Sequence, residues 1–453
     1  MDDNSKNSTQ GTRRGRGAKT ESLVRVDIAN LQMGMYIAEL DRPWLETPFL
    51  IQGFKLLNKA QVQTLEKYCQ YVYIASSSEA MRKKPPIVAR KQAPSLLSKG
   101  DKGTLFKPLG EAGKHGRKRQ IARSRPAHEV VLPIREEHPA AAQAYREGKA
   151  DIKQILHSAQ FGQMLNTEVA ETVVTNCVES MLRNHDALIW MSRIKHEDEY
   201  TAEHCLNVCI LAIAFGRHLN FDKPDLKMLG LCGLLHDVGK MRTPRIVLNK
   251  RGALSDEEFR IMQQHTIDGY KLLKEAGTTT ALPIDVALNH HERPDGSGYP
   301  RGLKAGEISE YARIIAIVDS YDAMTSDRCY SKAVAPADAQ KEIYKCRGQQ
   351  FDEEYALAFM QAIGPYPPGT IVELHNGMLG IVLSGRRKFR HLPTVILLRD
   401  AEKNVIAEQA VDLFLTDRGG LDKGFLIRRS LPDGSFDIKL EDYKVKLSEE
   451  PLS

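Results

Sequence analysis

The sequence lacks any apolar run long enough to cross a membrane. Its most apolar stretches, such as 208–215 and 314–318, are far shorter than the roughly 20 residues that span a bilayer. Residues 1–19 are polar and basic and lack the apolar segment of a secretory signal. We therefore expect a protein that has no membrane span and is located in the cytoplasm.

Cysteine is scarce and is not arranged as a disulfide or metal-binding framework. The seven cysteines are scattered, odd in number and form no CxxC pair. We expect reduced thiols, and the absence of paired thiolates disfavours a closed structural zinc site.

A strong excess of one charge is also absent. The 64 Lys and Arg residues exceed the 58 Asp and Glu residues by only six, which fits an anionic ligand without requiring a nucleic acid. Basic residues crowd into 81–126, where Phe106 is the single aromatic residue, so base stacking is disfavoured. A solvated linker is the simpler interpretation of this segment and an anionic partner the alternative. We predict neither DNA nor RNA binding.

Composition and periodicity divide the chain into five parts. The predicted parts are a disordered basic tail, a small α/β module, a basic linker, a helical domain and a small β-rich region, at 1–20, 21–80, 81–126, 127–365 and 366–453. Apolar residues at three- and four-residue spacing indicate helices in 152–165, 173–194 and 206–219. The predicted fold class is therefore mainly α.

Shorter signals define the two flanking parts. Extended runs at 23–27 and 71–74 bracket a helix that starts near Asn58. In the C-terminal part, Asn376-Gly377 between apolar runs is a strong hairpin signal. Strands are also expected at 395–398 and 405–415.

The residues with chemical potential lie in the predicted helical domain. They are imidazoles and carboxylates near predicted helix ends or in an aliphatic run: His204, His236, Asp237, His265, His290, His291 and Asp319. Nitrogen and oxygen donors of this kind suit a pair of divalent transition-metal ions. A carboxylate can bridge two ions whereas an imidazole binds one at a time, so Asp237 is the candidate bridge. The simpler alternatives are a packed or capping histidine and a structural His-Asp pair.

Three segments of this domain resemble the HD-GYP family of cyclic di-GMP phosphodiesterases. They read HDVGK at 236–240, HHERPDGSGYP at 290–300 and DSYDAMTSDR at 319–328, in the family's order and at similar spacing. The resemblance spans roughly 150–360 and implies an all-helical HD-type metallohydrolase domain. Residues 24–76 are similar to the small uncharacterised domain that often precedes HD-GYP domains.

The resemblance implies a division of the ligands between two ions. His204, His236, Asp237 and Asp319 would hold one ion, and Asp237, His265, His290 and His291 the other. Iron or manganese is implied, although nickel and zinc also suit these donors. Some family members carry a glutamate one turn before the first histidine and bind a third ion. This chain has Tyr200 there, so we predict two ions.

The resemblance also implies the roles of residues around the ions. Asp237 and Lys240 are the predicted catalytic residues, and the predicted substrate contacts are Lys240, Gly298, Tyr299, Pro300, Asp322 and Arg328. Paired ions activate water for attack on phosphorus, and nearby cations neutralise the phosphate oxygens. The simpler interpretations are a solvated lysine or arginine and a purely structural turn at 296–300.

The expected function is hydrolysis of cyclic di-GMP to pGpG, and in a further step to GMP, in bacterial second-messenger signalling. One alternative is hydrolysis of another cyclic dinucleotide such as cyclic GMP-AMP. Another is a scaffold that binds the dinucleotide without cleaving it. Protein partners of the N-terminal module, or a homo-oligomer, are further hypotheses.

Overall fold

The structure is a computed structural model that describes most of the chain. The described residues are 23–41, 54–56, 59–75, 130–161, 163–194, 200–277, 280–326, 333–386 and 389–443. The predictions for 1–20 and 81–126 lie outside these residues. The chain forms two compact units, Met1–Lys91 and Gln92–Ser453. Among the described residues, no helix is both long and apolar enough to cross a membrane.

The N-terminal unit is a small antiparallel sheet with one helix. Its elements are β1 Leu23–Asp27, β2 Tyr36–Leu40, β3 Phe54–Lys55, α1 Lys59–Tyr68 and β4 Tyr71–Ala75. The strand order is β1-β4-β2-β3, and β1 pairs with β4 from Leu23 opposite Ala75 to Asp27 opposite Tyr71. Its core includes the buried Ile37, Leu65 and Val72. The two predicted strands are confirmed, while the short β2 and β3 were not anticipated.

The larger unit begins with a helical body. Its helices are α2 Ile134–Gln160, α3 Thr167–Arg183, α4 His185–Arg193, α5 Tyr200–His218, α6 Lys223–Leu235, α7 Arg245–Leu248, α8 Asp256–Gln263, α9 His265–Glu275, α10 Ala281–Asn289, α11 Glu310–Met324, α12 Pro336–Lys345 and α13 Glu353–Ile363. The mainly α fold class is confirmed. Helix α8 starts at the capping box formed by Ser255 and Glu258, as the sequence predicts.

Helix α5 occupies the centre of this body. Apolar residues cover nearly all of its circumference, and the side chains from Ala202 to Ile213 are buried. A helix that is apolar all round must be covered on every side. Helices α2, α3, α4, α6, α11 and α13 supply that cover. His204, near the start of α5, is thereby held inside the protein.

The single apolar run predicted at 173–194 is two helices. Asn184 has an extended backbone, ends α3 and caps α4 by accepting a hydrogen bond from the backbone N–H of Asp186 at 3.0 Å. Its side-chain amide also donates to the carbonyl of Leu132 at 2.8 Å. Asparagine favours this position because its side chain satisfies helix-terminal backbone groups. Apolar periodicity does not register such a break, since the spacing continues across it.

A five-stranded antiparallel sheet follows the helices. Its strands are β5 Ile371–Leu374, β6 Leu379–Ser384, β7 Thr394–Arg399, β8 Val405–Asp412 and β9 Ile427–Leu431, in the order β8-β7-β6-β5-β9. The predicted hairpin is present, with Gly377 at φ 86° in the turn between β5 and β6. Ile381 on one face belongs to the core of the helical body, whereas Val382 belongs to a separate core on the other face. The predicted appendage is therefore packed against the helices.

The N-terminal cap of α11 connects two helices of the body. Ser309 Oγ accepts a hydrogen bond from the Ala312 backbone N–H at 3.2 Å and donates to Asp285 Oδ2 of α10 at 2.5 Å. We expect Ser309→Ala to lower the free energy of unfolding by ~1–2 kcal/mol, because a cap and a buried hydrogen bond are lost together. Urea unfolding checks this value. Ser158→Ala, inside α2, is the control and should change it by less than ~0.5 kcal/mol; an equal loss in both variants would contradict the capping role.

Candidate metal centre

The seven predicted ligands arrive from five places in the helical body. His204 is the fifth residue of α5, and the pair His236-Asp237 directly follows α6. His265 begins α9, the pair His290-His291 directly follows α10, and Asp319 lies in α11. Helix ends leave backbone groups without intrahelical partners, so they accommodate polar side chains inside a protein. The structure brings all seven residues together.

Close backbone packing brings two of these places into contact. The 3₁₀ turn Val238–Arg242, which follows Asp237, lies against the start of α9. A Cβ atom on Gly239 would stand 1.9 Å from the His265 carbonyl oxygen and 2.4 Å from the Gly269 nitrogen. Only glycine permits this approach. Gly239 therefore allows Asp237 and His265 to face one another.

The side chains form two neighbouring groups with the donor types of a metal site. One group is His204, His236 and Asp319, and the other is Asp237, His265, His290 and His291. Within each group the donor atoms all lie within 4.8 Å of one another. These groups supply the nitrogen and oxygen donors that divalent transition-metal ions favour.

Asp237 belongs to the second group and also reaches the first, because it turns one oxygen toward the histidines of each group. Its Oδ2 is 3.4 Å from His204 Nε2 and 3.2 Å from His236 Nε2. Its Oδ1 is 3.4 Å from His265 Nε2 and 3.6 Å from His290 Nε2. This is the arrangement required of a bridging carboxylate. The sequence could nominate Asp237 but could not show which oxygen faces which group.

Three of the imidazoles are oriented by the helix that precedes them. Nδ1 of His236, His265 and His290 lies 2.7, 2.6 and 3.0 Å from the carbonyl oxygens of Gly233, Met262 and Val286. Each carbonyl is in the last turn of a helix, and that of Val286 also accepts a hydrogen bond from the His290 backbone N–H at 2.9 Å. A carbonyl only accepts, so Nδ1 carries the proton and Nε2 of a neutral ring keeps its lone pair. All three Nε2 atoms therefore offer lone pairs toward Asp237.

Buried polar atoms at the centre fit a cation. His236 Nε2 and Asp237 Oδ1 are buried and have no hydrogen-bond partner among the described residues. His265 Nε2 and His290 Nε2 face each other at 3.4 Å, although both are acceptors in this tautomer. Unsatisfied acceptors of this kind are costly to bury. Divalent ions would satisfy them, so the residues present fit the metal ions that the sequence predicts.

The electrostatics of the centre favour neutral rings at His265 and His291 and positive charge beside the carboxylates. Burial lowers the pKa of His265 to about 3 and lowers that of His291 well below its usual range, so both rings are neutral. Burial opposes the ionisation of Asp237, yet His236, Lys240 and His204 hold its pKa well below the usual range. Burial likewise disfavours the cationic form of His204, but hydrogen bonds to Asp237, Asp319 and Asp322 raise its pKa to about 10. The carboxylates thus favour positive charge beside them.

The structure places the other predicted site residues around this centre. Lys240 Nζ donates a hydrogen bond to Asp237 Oδ2, with the lysine side chain 18% exposed. Gly298 and Pro300 are buried, and the Tyr299 ring lies beside His291 at 4.8 Å between centroids. Arg328 lies outside the described residues.

Asp322, a predicted substrate contact, lies against the His204 ring. Its Oδ2 lies 2.8 Å from His204 Nδ1, and the residue is 1% exposed. The carboxylate therefore lies behind His204, on the opposite side of the ring from Asp237. This contact orients a candidate ligand, as carboxylates do in many metal sites. The aliphatic run around Asp322 signals burial but does not reveal a partner 118 residues away.

Two known families match different parts of this chain. The family described as HD domain matches residues 176–355, and a domain of unknown function, DUF3391, matches 23–170. A cyclic di-GMP phosphodiesterase of Pseudomonas aeruginosa is 35% identical over 395 residues, covering 86% of this chain and 89% of that relative. The chain belongs to the HD-GYP family. The resemblance seen in the HD-GYP segments is therefore confirmed.

Shorter matches are confined to a part of the chain. A cyclic di-GMP phosphodiesterase of Thermotoga maritima is 36% identical over 168 residues, covering 37% of this HD-GYP protein and 46% of that relative. The 3'3'-cGAMP-specific phosphodiesterase 1 of Vibrio cholerae is 37% identical over 145 residues, covering 32% and 33%. Relatives with different named substrates thus match this HD-GYP protein at similar identity.

Proposed function

We propose that this protein hydrolyses cyclic di-GMP to pGpG, and in a further step to GMP, at a centre of two divalent metal ions. The observation that carries the proposal is Asp237, whose two carboxylate oxygens each face a separate group of candidate ligands. The relative from Pseudomonas aeruginosa, matched over 89% of its length, supports the choice of substrate. Six described cysteines are free thiols, five of them buried, which supports a reducing compartment such as the cytoplasm.

The proposed ligand sets follow the two groups of side chains. His204, His236 and Asp319 would hold the first ion, His265, His290 and His291 the second, and Asp237 would bind both. When bound, such an ion pair would lower the pKa of a coordinated water to near neutral pH. The ions would also neutralise the charge that develops on the phosphate oxygens. The backbone carbonyls behind His236, His265 and His290 keep these rings in the tautomer that binds metal. We propose iron or manganese, with nickel and zinc as alternatives that elemental analysis of protein purified without chelator would detect.

Lys240 is the cation best placed to act on the substrate. It lies three residues after Asp237 in the middle of the 3₁₀ turn Val238–Arg242, where the Lys240 backbone N–H donates to the Asp237 carbonyl at 2.9 Å. Its ammonium group already contacts a carboxylate oxygen of the candidate bridge. We propose that this group turns to a phosphate oxygen of bound substrate and stabilises the charge that develops there. The loop residues Gly298, Tyr299 and Pro300, and Arg328, stay predicted substrate contacts.

Replacing Lys240 separates its role from that of the ligands. We expect Lys240→Met to retain the metal content of the wild type while kcat falls by ~10²-fold, the scale of losing one preorganised donor that stabilises the transition state. Metal analysis and steady-state kinetics on one preparation check both values. Lys345→Met removes an exposed lysine that pairs with Glu342 and serves as the matched control. A Lys240 variant with wild-type kcat would leave the lysine with a structural role only.

A substrate panel distinguishes the proposed activity from its alternatives. Purified protein is compared on cyclic di-GMP and 3'3'-cGAMP at equal metal content, and products are separated as linear dinucleotide and mononucleotide. We expect kcat/KM for cyclic di-GMP to be at least ~10-fold higher, with pGpG formed before GMP; the difference corresponds to about 1.4 kcal/mol. Equal or faster cleavage of cGAMP would assign the other dinucleotide. Binding without cleavage by metal-loaded protein would support the scaffold.

A further inference from the structure

We propose that Tyr299 and Glu292 are positioning residues that hold His291 in its ligand orientation through the loop 293–303. The inference rests on the proposed function, because it concerns a residue assigned to the second ion. It gives the loop a role in positioning His291, in addition to the substrate contacts that the sequence predicts for Gly298, Tyr299 and Pro300. Three independent contacts between the loop and the segment around His291 carry it.

His291 differs from the other four histidines in how its ring is fixed. His236, His265 and His290 direct Nδ1 to backbone carbonyls, and His204 directs Nδ1 to Asp322. The His291 ring makes no hydrogen bond to any residue in the described part of the chain. Something other than a hydrogen bond must therefore define its orientation.

Ring packing supplies the missing constraint. The Tyr299 ring lies 4.8 Å from the His291 ring between centroids, with an angle of 30° between the planes, so the two rings pack in a tilted arrangement. The Tyr299 backbone N–H also donates to the His291 carbonyl at 3.2 Å. Phe259 of α8 meets the Tyr299 ring edge-on at 6.1 Å. Tyr299 is thus fixed relative to His291 by both its backbone and its ring.

His290 and His265 bound the His291 ring on its other sides. The His290 centroid is 4.1 Å away at 44°, and the His265 centroid is 5.1 Å away at 82°. Both of these rings are themselves fixed by backbone carbonyls. Removing Tyr299 would therefore leave His291 open on the loop side alone, where a change in its orientation should occur.

Glu292 anchors the loop that carries Tyr299. Its Oε1 accepts hydrogen bonds from the backbone N–H groups of Arg301 and Gly302 at 2.6 and 3.2 Å, and its Oε2 accepts one from Leu303 at 2.8 Å. The residue is 2% exposed. Three donors that converge on one buried carboxylate close the loop directly behind Pro300. Both carboxylate oxygens act as acceptors in these hydrogen bonds. Glutamine has only one side-chain oxygen, so its amide N–H₂ group would face a backbone N–H, and two donors cannot form a hydrogen bond.

The backbone of the loop is pressed onto the same segment. A Cβ atom on Gly298 would stand 2.4 Å from the Arg293 nitrogen, 2.5 Å from Glu292 Cα and 2.6 Å from the His291 carbonyl oxygen. The loop therefore returns to the residues from which it started. A simple solvated turn would not need this contact, because it would leave the His291 segment free.

The test compares removal of the Tyr299 ring with removal of its hydroxyl group. Mn²⁺ is titrated calorimetrically into metal-free full-length protein carrying Tyr299→Leu, Tyr299→Phe or Glu292→Gln. We expect Tyr299→Leu and Glu292→Gln to weaken the second Mn²⁺ equivalent by 10- to 100-fold while the first is unchanged, the usual effect of losing a group that orients a ligand. Tyr299→Phe, which keeps the ring, should bind both equivalents as the wild type does. Tyr344→Leu, which removes a ring packed against Arg347, is the matched control.

A second measurement needs neither metal nor activity. In metal-free protein with ¹³C,¹⁵N-labelled histidine, the His291 ring signal should shift in Tyr299→Leu but not in Tyr299→Phe, because only the former loses the ring current. An unmoved His291 signal in Tyr299→Leu, or wild-type affinity for both Mn²⁺ equivalents, would overturn the positioning role. Binding of one equivalent by the wild type, together with the expected His291 shift in Tyr299→Leu, would contradict the two-ion centre and keep the positioning role. The two failures are therefore distinguishable.

Discussion

Asp237→Asn is expected to abolish the binding of both metal ions and to lower the rate of cyclic di-GMP hydrolysis by ~10³-fold or more, at or above the upper end of the range for loss of one group that stabilises the transition state. The reason is geometric. Oδ2 faces His204 and His236 while Oδ1 faces His265 and His290, so one side chain serves both groups. An amide has one oxygen and an N–H₂ group that cannot bind a cation.

Metal analysis and hydrolysis on the same preparation check this result. Asparagine has nearly the shape of aspartate, and circular dichroism establishes that the variant is folded. Asp338→Asn removes an exposed carboxylate that pairs with Lys341 in α12 and is the matched control. If the Asp237 variant kept two metal equivalents per chain, the bridging role would be untenable. If it lost one ion only, Asp237 would belong to a single group.

Gly239→Ala is expected to have the second-largest effect, acting on the fold and on the site together. A Cβ atom would overlap backbone atoms of α9, which cannot rotate away as a side chain can. We expect the free energy of unfolding to fall by ~3 kcal/mol or more, since overpacking of this kind forces backbone shifts. The start of α9 would move and displace His265, so the second metal equivalent should weaken as well.

Thermal unfolding and Mn²⁺ titration of the same variant measure the two effects. The melting temperature should fall by roughly 10 °C, given the size of the unit. Gly306→Ala is the control, because its added methyl group meets no atom within 4 Å. Wild-type stability in the Gly239 variant would mean that the turn Val238–Arg242 and α9 can move apart without loss of stability. That result would contradict a stabilising role for their close packing.

Local pattern explains why much of the centre could be predicted from the sequence. His236-Asp237 follows an apolar helix, His265 follows a capping box and a short helix, and His290-His291 ends another helix. Each of these signals is formed by residues that are neighbours in the sequence. The carbonyls that orient His236, His265 and His290 lie three or four residues earlier, so helix-end geometry accounts for them too.

The parts that could not be predicted depend on residues far apart in the chain. Asp322 contacts His204 across 118 residues, and Lys149 of α2 pairs with Glu203 across 54 residues at 2.6 Å. The contact with Lys149 explains how the carboxylate of Glu203, next to His204 in the sequence, is buried although it does not belong to either group of candidate ligands. The anchoring role of Glu292 was likewise missed, because its partners are backbone N–H groups and any residue type can supply them.

The most direct test of the account joins hydrolysis to metal occupancy. Metal-free protein is loaded with increasing equivalents of Mn²⁺ or Fe²⁺, and cyclic di-GMP turnover is followed at each step with bound metal quantified in the same sample. We expect little turnover at one equivalent and full turnover at two, with pGpG as the first product. Full turnover at one equivalent would contradict the two-ion centre. Tight binding of cyclic di-GMP without cleavage at two equivalents would contradict the enzyme itself.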